Sequence, residues 1–146
     1  MVGKKIENLE ILKKHSFPVP EFVTVNRNTN IEELDIPWQF CAVRSSASIE
    51  DGENSSFAGQ FDTYLNVPKE EVYTKIKKCF DSMENNGVRT YAKQHGLEMD
   101  QTDMHVIVQK MIASEYSGVC FTANPQGILN EMVIVVGKGT GDNVVE

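Results

Sequence analysis

One polar stretch constrains this chain more than any other: Ala42-Val43-Arg44-Ser45-Ser46-Ala47-Ser48-Ile49-Glu50-Asp51-Gly52-Glu53-Asn54-Ser55-Ser56-Phe57-Ala58-Gly59-Gln60-Phe61-Asp62-Thr63-Tyr64-Leu65-Asn66-Val67. An apolar run, Phe40 to Val43, delivers a single arginine into a cluster of hydroxyls. A glycine-punctuated segment follows, and then a second apolar run. That order suits a loop that holds a phosphate chain. Arginine offers a fixed fork of donors matched to phosphate oxygens. Serine hydroxyls and free backbone N–H groups add neutral donors. Gly52 and Gly59 let the backbone approach where a Cβ would block it.

The rest of the chain must supply a scaffold. With 146 residues it has about one domain's length and buries roughly 70% of its unfolded surface without staples. No apolar run reaches the roughly 20 residues needed to span a bilayer. The start, Met1-Val2-Gly3-Lys4-Lys5, has no apolar stretch after its basic pair, which argues against a signal peptide and for the cytoplasm. A net charge of −7 argues against a nucleic-acid or anionic-membrane surface, while leaving room for a local basic pocket. Cys41, Cys79 and Cys120 are odd in number and far apart, so free thiols are expected.

Periodicity predicts the elements. Ile6, Leu9 and Leu12 make Gly3–His15 an amphipathic helix, which Phe17-Pro18-Val19-Pro20 cannot continue. Phe22–Val25 reads as a strand, Asn26–Asn30 as a turn and Ile31–Leu34 as a helical turn. Trp38–Val43 reads as a buried strand ending at Arg44. Pro68–Ala92 reads as helical, with Val72, Ile76, Cys79, Phe80 and Met83 on one stripe and acids in its first turn. Asn85-Asn86-Gly87 breaks or kinks it, and a second piece runs to about Gln94, stopped by Gly96. Met104–Ile112, Tyr116–Phe121 and Glu131–Val136 read as strands, with a turn at Asn124-Pro125-Gln126-Gly127.

The common nucleotide and catalytic signatures are missing. There is no G-x-x-x-x-G-K-[ST], and Gly137, Gly139 and Gly141 do not make G-x-G-x-x-G because Asp142 takes the third glycine's place. His15, His95 and His105 have no evident partners and read as structural or surface residues. Glu50, Asp51 and Glu53 do not match an EF-hand loop and read as a solvated acidic loop. Arg44 with Ser45 and Ser46 is a stronger case. Chemistry alone leaves two readings open for it: a phosphate clamp, or a strand-end cap paired with Asp51 or Asp62.

A resemblance separates them. Ala42–Ala47 and Ser56–Val67 closely resemble the signature of the N-terminal nucleotide-binding domain shared by phosphoenolpyruvate synthase, pyruvate phosphate dikinase and rifampin phosphotransferase. Val108-Gln109-Lys110-Met111-Ile112, then Ser117-Gly118-Val119 and Phe121-Thr122-Ala123-Asn124-Pro125, resemble the family's next blocks. So do Lys5, Asn8-Leu9 and Phe17–Val23 at the start. The resemblance implies an ATP-grasp fold, with this chain as its first lobe: α/β or α+β, a mixed and mostly antiparallel sheet with flanking helices, one domain over residues 1–146. By motif position it implies that Arg44 and Lys5 are catalytic phosphate contacts, with Ser45 beside them. Gly59 and Thr63 fall in the loop over the phosphates. Gln109, Met111 and Ile112 fall on the strand that meets adenine, where a strand edge offers backbone groups and apolar side chains. ATP and magnesium are the implied cofactors.

The departures matter as much. The family's lysine sits in a Gly-Gly-Lys-Gly-like turn, whereas the run here is Gly3-Lys4-Lys5-Ile6. Gly139-Thr140-Gly141-Asp142 resembles a Gly-Leu-Gly-Glu element with Asp for Glu. The family's acidic metal-binding pair, its phosphohistidine domain and its pyruvate-binding barrel would all follow Glu146, so no metal ligand is assigned here. The expected partners are ATP, the remaining lobe and the phosphohistidine domain. The expected function is the ATP-binding lobe of a phosphoenolpyruvate synthase-like phosphotransferase, inactive alone. A stand-alone protein that binds nucleotide or a partner without catalysis, and a non-binding remnant, are the alternatives.

Overall fold

A computed structural model describes residues 3–47, 62–84, 90, 104–127, 130–141 and 144. The chain divides into two compact units, Met1–Met111 and Ile112–Glu146. Together they give a mixed α+β chain with antiparallel sheets and two helices among the described residues.

The first unit is built on a four-stranded sheet in the order β1-β4-β2-β3, with every pair antiparallel. The strands are β1 (Phe22–Asn26), β2 (Phe40–Ala47), β3 (Thr63–Pro68) and β4 (Met104–Lys110). β4 is interior and carries the unbroken apolar run Val106-Ile107-Val108, all fully buried, as a strand covered on both faces requires. Helix α2 (Val72–Met83) follows a 3-10 turn over Lys69–Glu71. Its predicted stripe of Val72, Ile76, Cys79, Phe80 and Met83 is buried. That stripe shares a core with Val25, Cys41, Val43, Ala47, Val67, Met104, Val106 and Val108.

Helix α1 (Lys4–Lys14) packs against β2. Ile6 is buried, but Leu12 is 40% exposed, so only the first half of the predicted amphipathic face is used. The register of β3 slips against β2 between Cys41 and Val43. Asn66 lies there with φ +52°, a left-handed conformation that asparagine tolerates and that suits a β-bulge.

β2 departs from expectation. It does not end at Arg44. It begins at Phe40, leaving Trp38 outside, and runs on through Ser45, Ser46 and Ala47. Residues Arg44–Ala47 pair with Ile107–Met104 of β4, and this long-range ladder overrides the turn preference of the serines. The glycine-punctuated stretch with Gly52 and Gly59 lies outside the described residues. So do the expected break at Asn85–Gly87 and, apart from Thr90, the second helical piece.

The second unit is a two-stranded ladder of β5 (Tyr116–Phe121) and β6 (Val133–Lys138), paired from Tyr116↔Lys138 to Phe121↔Val133. The predicted turn is present: the Gly127 N–H donates to the Asn124 carbonyl at 3.0 Å, and Gly127 has φ +83°. Cys41 and Cys79 are buried free thiols, and Cys120 is exposed and free.

Candidate functional site

Strand alternation decides which side chains of the first sheet share a face. One face belongs to the α2 core. Across it run Val25, Val106 and Ser45, then Val23, Val108, Val43 and Tyr64. The other face carries three rows: Thr24, Ile107, Arg44 and Thr63; Asn26, His105 and Ser46; Phe22, Gln109 and Ala42. Arg44 therefore sits mid-sheet, directly opposite Thr63 and next to the row of Ser46.

Arg44 is half-buried, and among the described residues it makes no ion pair. Asp62, one of the two carboxylates considered as its partner, instead accepts a hydrogen bond from the Tyr64 hydroxyl. Asp51 lies outside the described residues. A half-buried guanidinium is costly unless an anion joins it, and among the described residues no carboxylate does, so this face is a candidate for an anion such as phosphate. Tyr64 is pushed up to about 12, first by that hydrogen bond to Asp62 and then by burial.

Ser45 and Ser46 turn opposite ways. Ser45 is fully buried on the core face, and its hydroxyl donates to the Asp62 carbonyl at 3.1 Å. The Ser45 N–H donates to the same oxygen at 3.2 Å, and the Cys79 thiol at 3.7 Å. Ser45 thus ties the end of β2 to the start of β3 and is turned away from the Arg44 face. Ser46, grouped with Arg44 and Ser45 by the sequence reading but given no site role of its own, lies on the Arg44 face. Its position two residues from Arg44 in a strand was the available signal.

The first turn of α1 meets this face at Ser46. A Cβ on Gly3 would lie 2.5 Å from Ser46 Oγ and 3.1 Å from the Ala47 carbonyl carbon and oxygen. A side chain at this position would have to push Ser46 Oγ aside and crowd the Ala47 carbonyl. Lys5 follows in the same turn, half-buried, whereas Lys4 is exposed. The first turn of α1 thus begins on the face that carries Arg44, Ser46 and Thr63, and helix N-termini favour anions.

The residues expected to meet adenine are placed differently from a free strand edge. β4 is paired on both sides. The Lys110 N–H donates to Glu21 O at 2.8 Å, and the Met111 N–H to Phe40 O at 3.0 Å. The Gln109 side chain is buried and donates to Pro20 O at 3.3 Å. Met111 is half-buried, and Ile112 is 49% exposed, so what these two offer a ring is apolar surface. Gly59 lies outside the described residues.

The second unit has an open cleft of about 490 Å³ lined by Ser114, Glu115, Tyr116, Lys138 and Gly139. The Ser114 and Ser117 hydroxyls donate to Gly139 O at 3.3 and 2.7 Å. These bonds fix the start of the Gly139-Thr140-Gly141 turn, where Gly139 has φ +94°. Among the described residues no group of three His, Cys, Asp or Glu side chains is arranged to hold a metal ion. Nor is any described helix long and apolar enough to cross a membrane.

Residues 19–146 match the family described as pyruvate phosphate dikinase, AMP/ATP-binding domain. A probable phosphoenolpyruvate synthase of Archaeoglobus fulgidus is 43% identical over 107 residues, 73% of this chain and 14% of that protein. The phosphoenolpyruvate synthase of Pyrococcus furiosus is 42% identical over 108 residues, 73% of this chain and 13% of that protein. The rifampicin phosphotransferase of Bacillus cereus is 48% identical over 85 residues, 58% of this chain and 10% of that protein. The chain therefore spans a seventh or less of the length of these relatives.

Proposed function

Because this chain belongs to the pyruvate phosphate dikinase AMP/ATP-binding domain family, we propose that it is the ATP-binding lobe of a phosphoenolpyruvate synthase-like phosphotransferase. Arg44 grips the ATP phosphates, with Lys5 approaching from the first turn of α1. Thr63 stands opposite Arg44, and Gly59 belongs to the loop that covers the phosphates. Gln109 positions the end of β4, and Met111 and Ile112 lay apolar surface against the adenine ring. Ser45 contributes by holding the loop's exit at Asp62.

The single observation that supports this most is Arg44: half-buried, mid-sheet and without an ion pair among the described residues. The residues present fit a phosphate chain. Magnesium, when bound, neutralises charge on the phosphates. The role of this lobe is positioning and charge stabilisation, which carry most of the catalysis in phosphoryl transfer. In the complete enzyme a phosphoryl group passes to a histidine on a separate domain and then to pyruvate, or to an antibiotic in the rifampicin branch. This lobe alone does not complete the transfer.

Titration of Mg-ATP into the isotope-labelled chain tests the reading. Weak, saturable shifts at Arg44, Gly59 and Gln109 are expected. Arg44→Ala removes charge-assisted hydrogen bonds worth about 1.5–3 kcal/mol, so affinity falls about 10- to 150-fold. No ATP-dependent shift at any of the three positions would sink the proposal.

A further inference from the structure

Asp62 immediately precedes β3, one residue before Thr63, which lies directly opposite Arg44. Its backbone is tied to the other side of the sheet. The Asp62 carbonyl accepts from the Ser45 N–H at 3.2 Å, the Ser45 hydroxyl at 3.1 Å and the Cys79 thiol at 3.7 Å. The Asp62 N–H donates to Ser82 Oγ at 3.4 Å, and both Cys79 and Ser82 belong to α2. The carboxylate is held on that same side. It accepts from the Tyr64 hydroxyl. Tyr64 in turn packs against the α2 core, with Lys75 Nζ 4.8 Å from its ring centroid. A carboxylate next in sequence to the Arg44 row is thus turned to the face that Arg44 does not share.

We propose that Tyr64 is a positioning residue for the phosphate-binding face: its hydroxyl holds the Asp62 carboxylate on the α2 side of the sheet and so keeps Arg44 open to an anionic ligand. Adjacent strands lie about 5 Å apart, and Asp62 is one residue away from the register partner of Arg44. A released carboxylate at the start of β3 therefore comes within reach of a guanidinium on a long, flexible stem. Arginine and carboxylate make strong, often two-pronged hydrogen bonds, so Asp62 would become an internal anion on Arg44. An incoming phosphate would then have to displace it, and the apparent affinity would fall in proportion to the fraction of molecules left open. Tyr64 prevents this with a neutral donor that satisfies the carboxylate where it stands. The Ser45, Cys79 and Ser82 contacts fix the Asp62 backbone, and the Tyr64 hydroxyl sets the direction of its side chain. The facing of Asp62 stands on these hydrogen bonds, whereas its consequence for phosphate rests on the proposed function.

The test compares the full 146-residue chain with Tyr64→Phe, Asp62→Asn and the Tyr64→Phe/Asp62→Asn double variant. Phenylalanine keeps the ring and loses the hydroxyl, and asparagine keeps the shape of Asp62 and loses its charge. The first readout is the Arg44 Nε resonance of the isotope-labelled chain without ligand. The second is the Kd for Mg-ATP. Tyr64→Phe should move the Arg44 resonance and weaken Mg-ATP about fivefold, the upper end for an ion pair near the surface. In the double variant the resonance should return to its wild-type position and the affinity should recover to within about twofold, because no carboxylate is left to occupy Arg44. A hydroxyl with a merely structural role gives no such recovery, since removing a charge does not replace a lost hydrogen bond. Asp62→Asn alone should leave the Arg44 resonance in place. A double variant as weak as Tyr64→Phe, or an Arg44 resonance that stays put in Tyr64→Phe, would overturn the proposal. So would an Arg44 resonance that moves in Asp62→Asn, because the two residues would then already be paired. Should Tyr64→Phe not fold, that last comparison decides the facing of Asp62. If wild type binds no Mg-ATP, the phosphate reading fails by itself, while the Arg44 resonance still decides whether Tyr64 keeps Asp62 off Arg44. If Tyr64→Phe moves the resonance but leaves the Mg-ATP affinity unchanged, the restraint exists without serving the nucleotide, which refutes the positioning role.

Discussion

Ser45→Ala separates the two faces of β2 with one oxygen atom. The hydroxyl is fully buried on the core face and donates to Asp62 O at 3.1 Å. Its removal does not orphan that carbonyl, because the Ser45 N–H at 3.2 Å and the Cys79 thiol at 3.7 Å remain. The loss is then one ordinary hydrogen bond, about 0.5–1.5 kcal/mol, without the larger penalty of a buried unpaired acceptor. With a urea slope of about 2 kcal/mol/M for a small domain, the unfolding midpoint should fall by roughly half a molar with no change in slope. Mg-ATP affinity should stay within about twofold, since that difference is under 0.5 kcal/mol. Arg44→Ala should do the reverse: large loss of affinity and little change in midpoint, because its side chain makes no ion pair among the described residues. The assay is a pair of urea titrations followed by isothermal calorimetry with Mg-ATP. A tenfold loss of affinity in Ser45→Ala at an unchanged midpoint would put its hydroxyl on the phosphate side and refute the facing assigned to β2.

Three further outcomes are expected. Ile76→Ala, at a fully buried position under the sheet, should lower stability by about 2–5 kcal/mol, read as a urea midpoint shift well beyond that of Ser45→Ala. Thiol titration of the native chain near pH 8 should modify exposed Cys120 quickly and spare Cys41 and Cys79 until unfolding, since burial raises both thiols and pushes Cys79 up to about 12. Alkaline unfolding should steepen above pH 10: a tyrosine raised to about 12 by its bond to Asp62 contributes stability that is complete below its ordinary value of 10 and lost as pH rises through 12. Tyr64→Phe should flatten that part of the curve, and an unchanged curve would remove the hydrogen bond from the account.

The elements with strong periodicity were legible from residue types alone. The α2 stripe, the Asn124–Gly127 turn and the approximate limits of β4 and β5 follow from spacing that local physics dictates. Boundaries were less so, as β6 lies two residues further on than its apolar run suggests. The candidate site was legible as a neighbourhood and not as a geometry. Arg44 could be picked out because one cation among hydroxyls has few uses. Whether Ser45 or Ser46 shares its side depended on knowing that β2 continues past Arg44, and that continuation is decided by pairing with β4, some sixty residues away. The same ladder makes β4 an interior strand, which no pattern within Val108–Ile112 could reveal.

β2 is the place where local preference and global fold disagree. Serines favour turns unless their hydroxyls are satisfied, and a charged side chain mid-sheet is unfavourable without a partner. In β2 the core-facing serine meets this demand within the protein, at the Asp62 carbonyl, and the central valine beside it packs as in any buried strand. The opposite face meets it only in part. Arg44 has no ion pair and Ser46 Oγ no partner among the described residues, while Gly3 gives up its Cβ to let α1 approach. Unresolved demands confined to one face are what a ligand-binding surface requires, because a group already satisfied by its own protein has nothing left to offer an anion. Sequences that otherwise agree with their fold at every level tend to break the rules where they function. On that ground the Arg44 face, rather than the equally serine-rich core face behind it, is where phosphate should be sought.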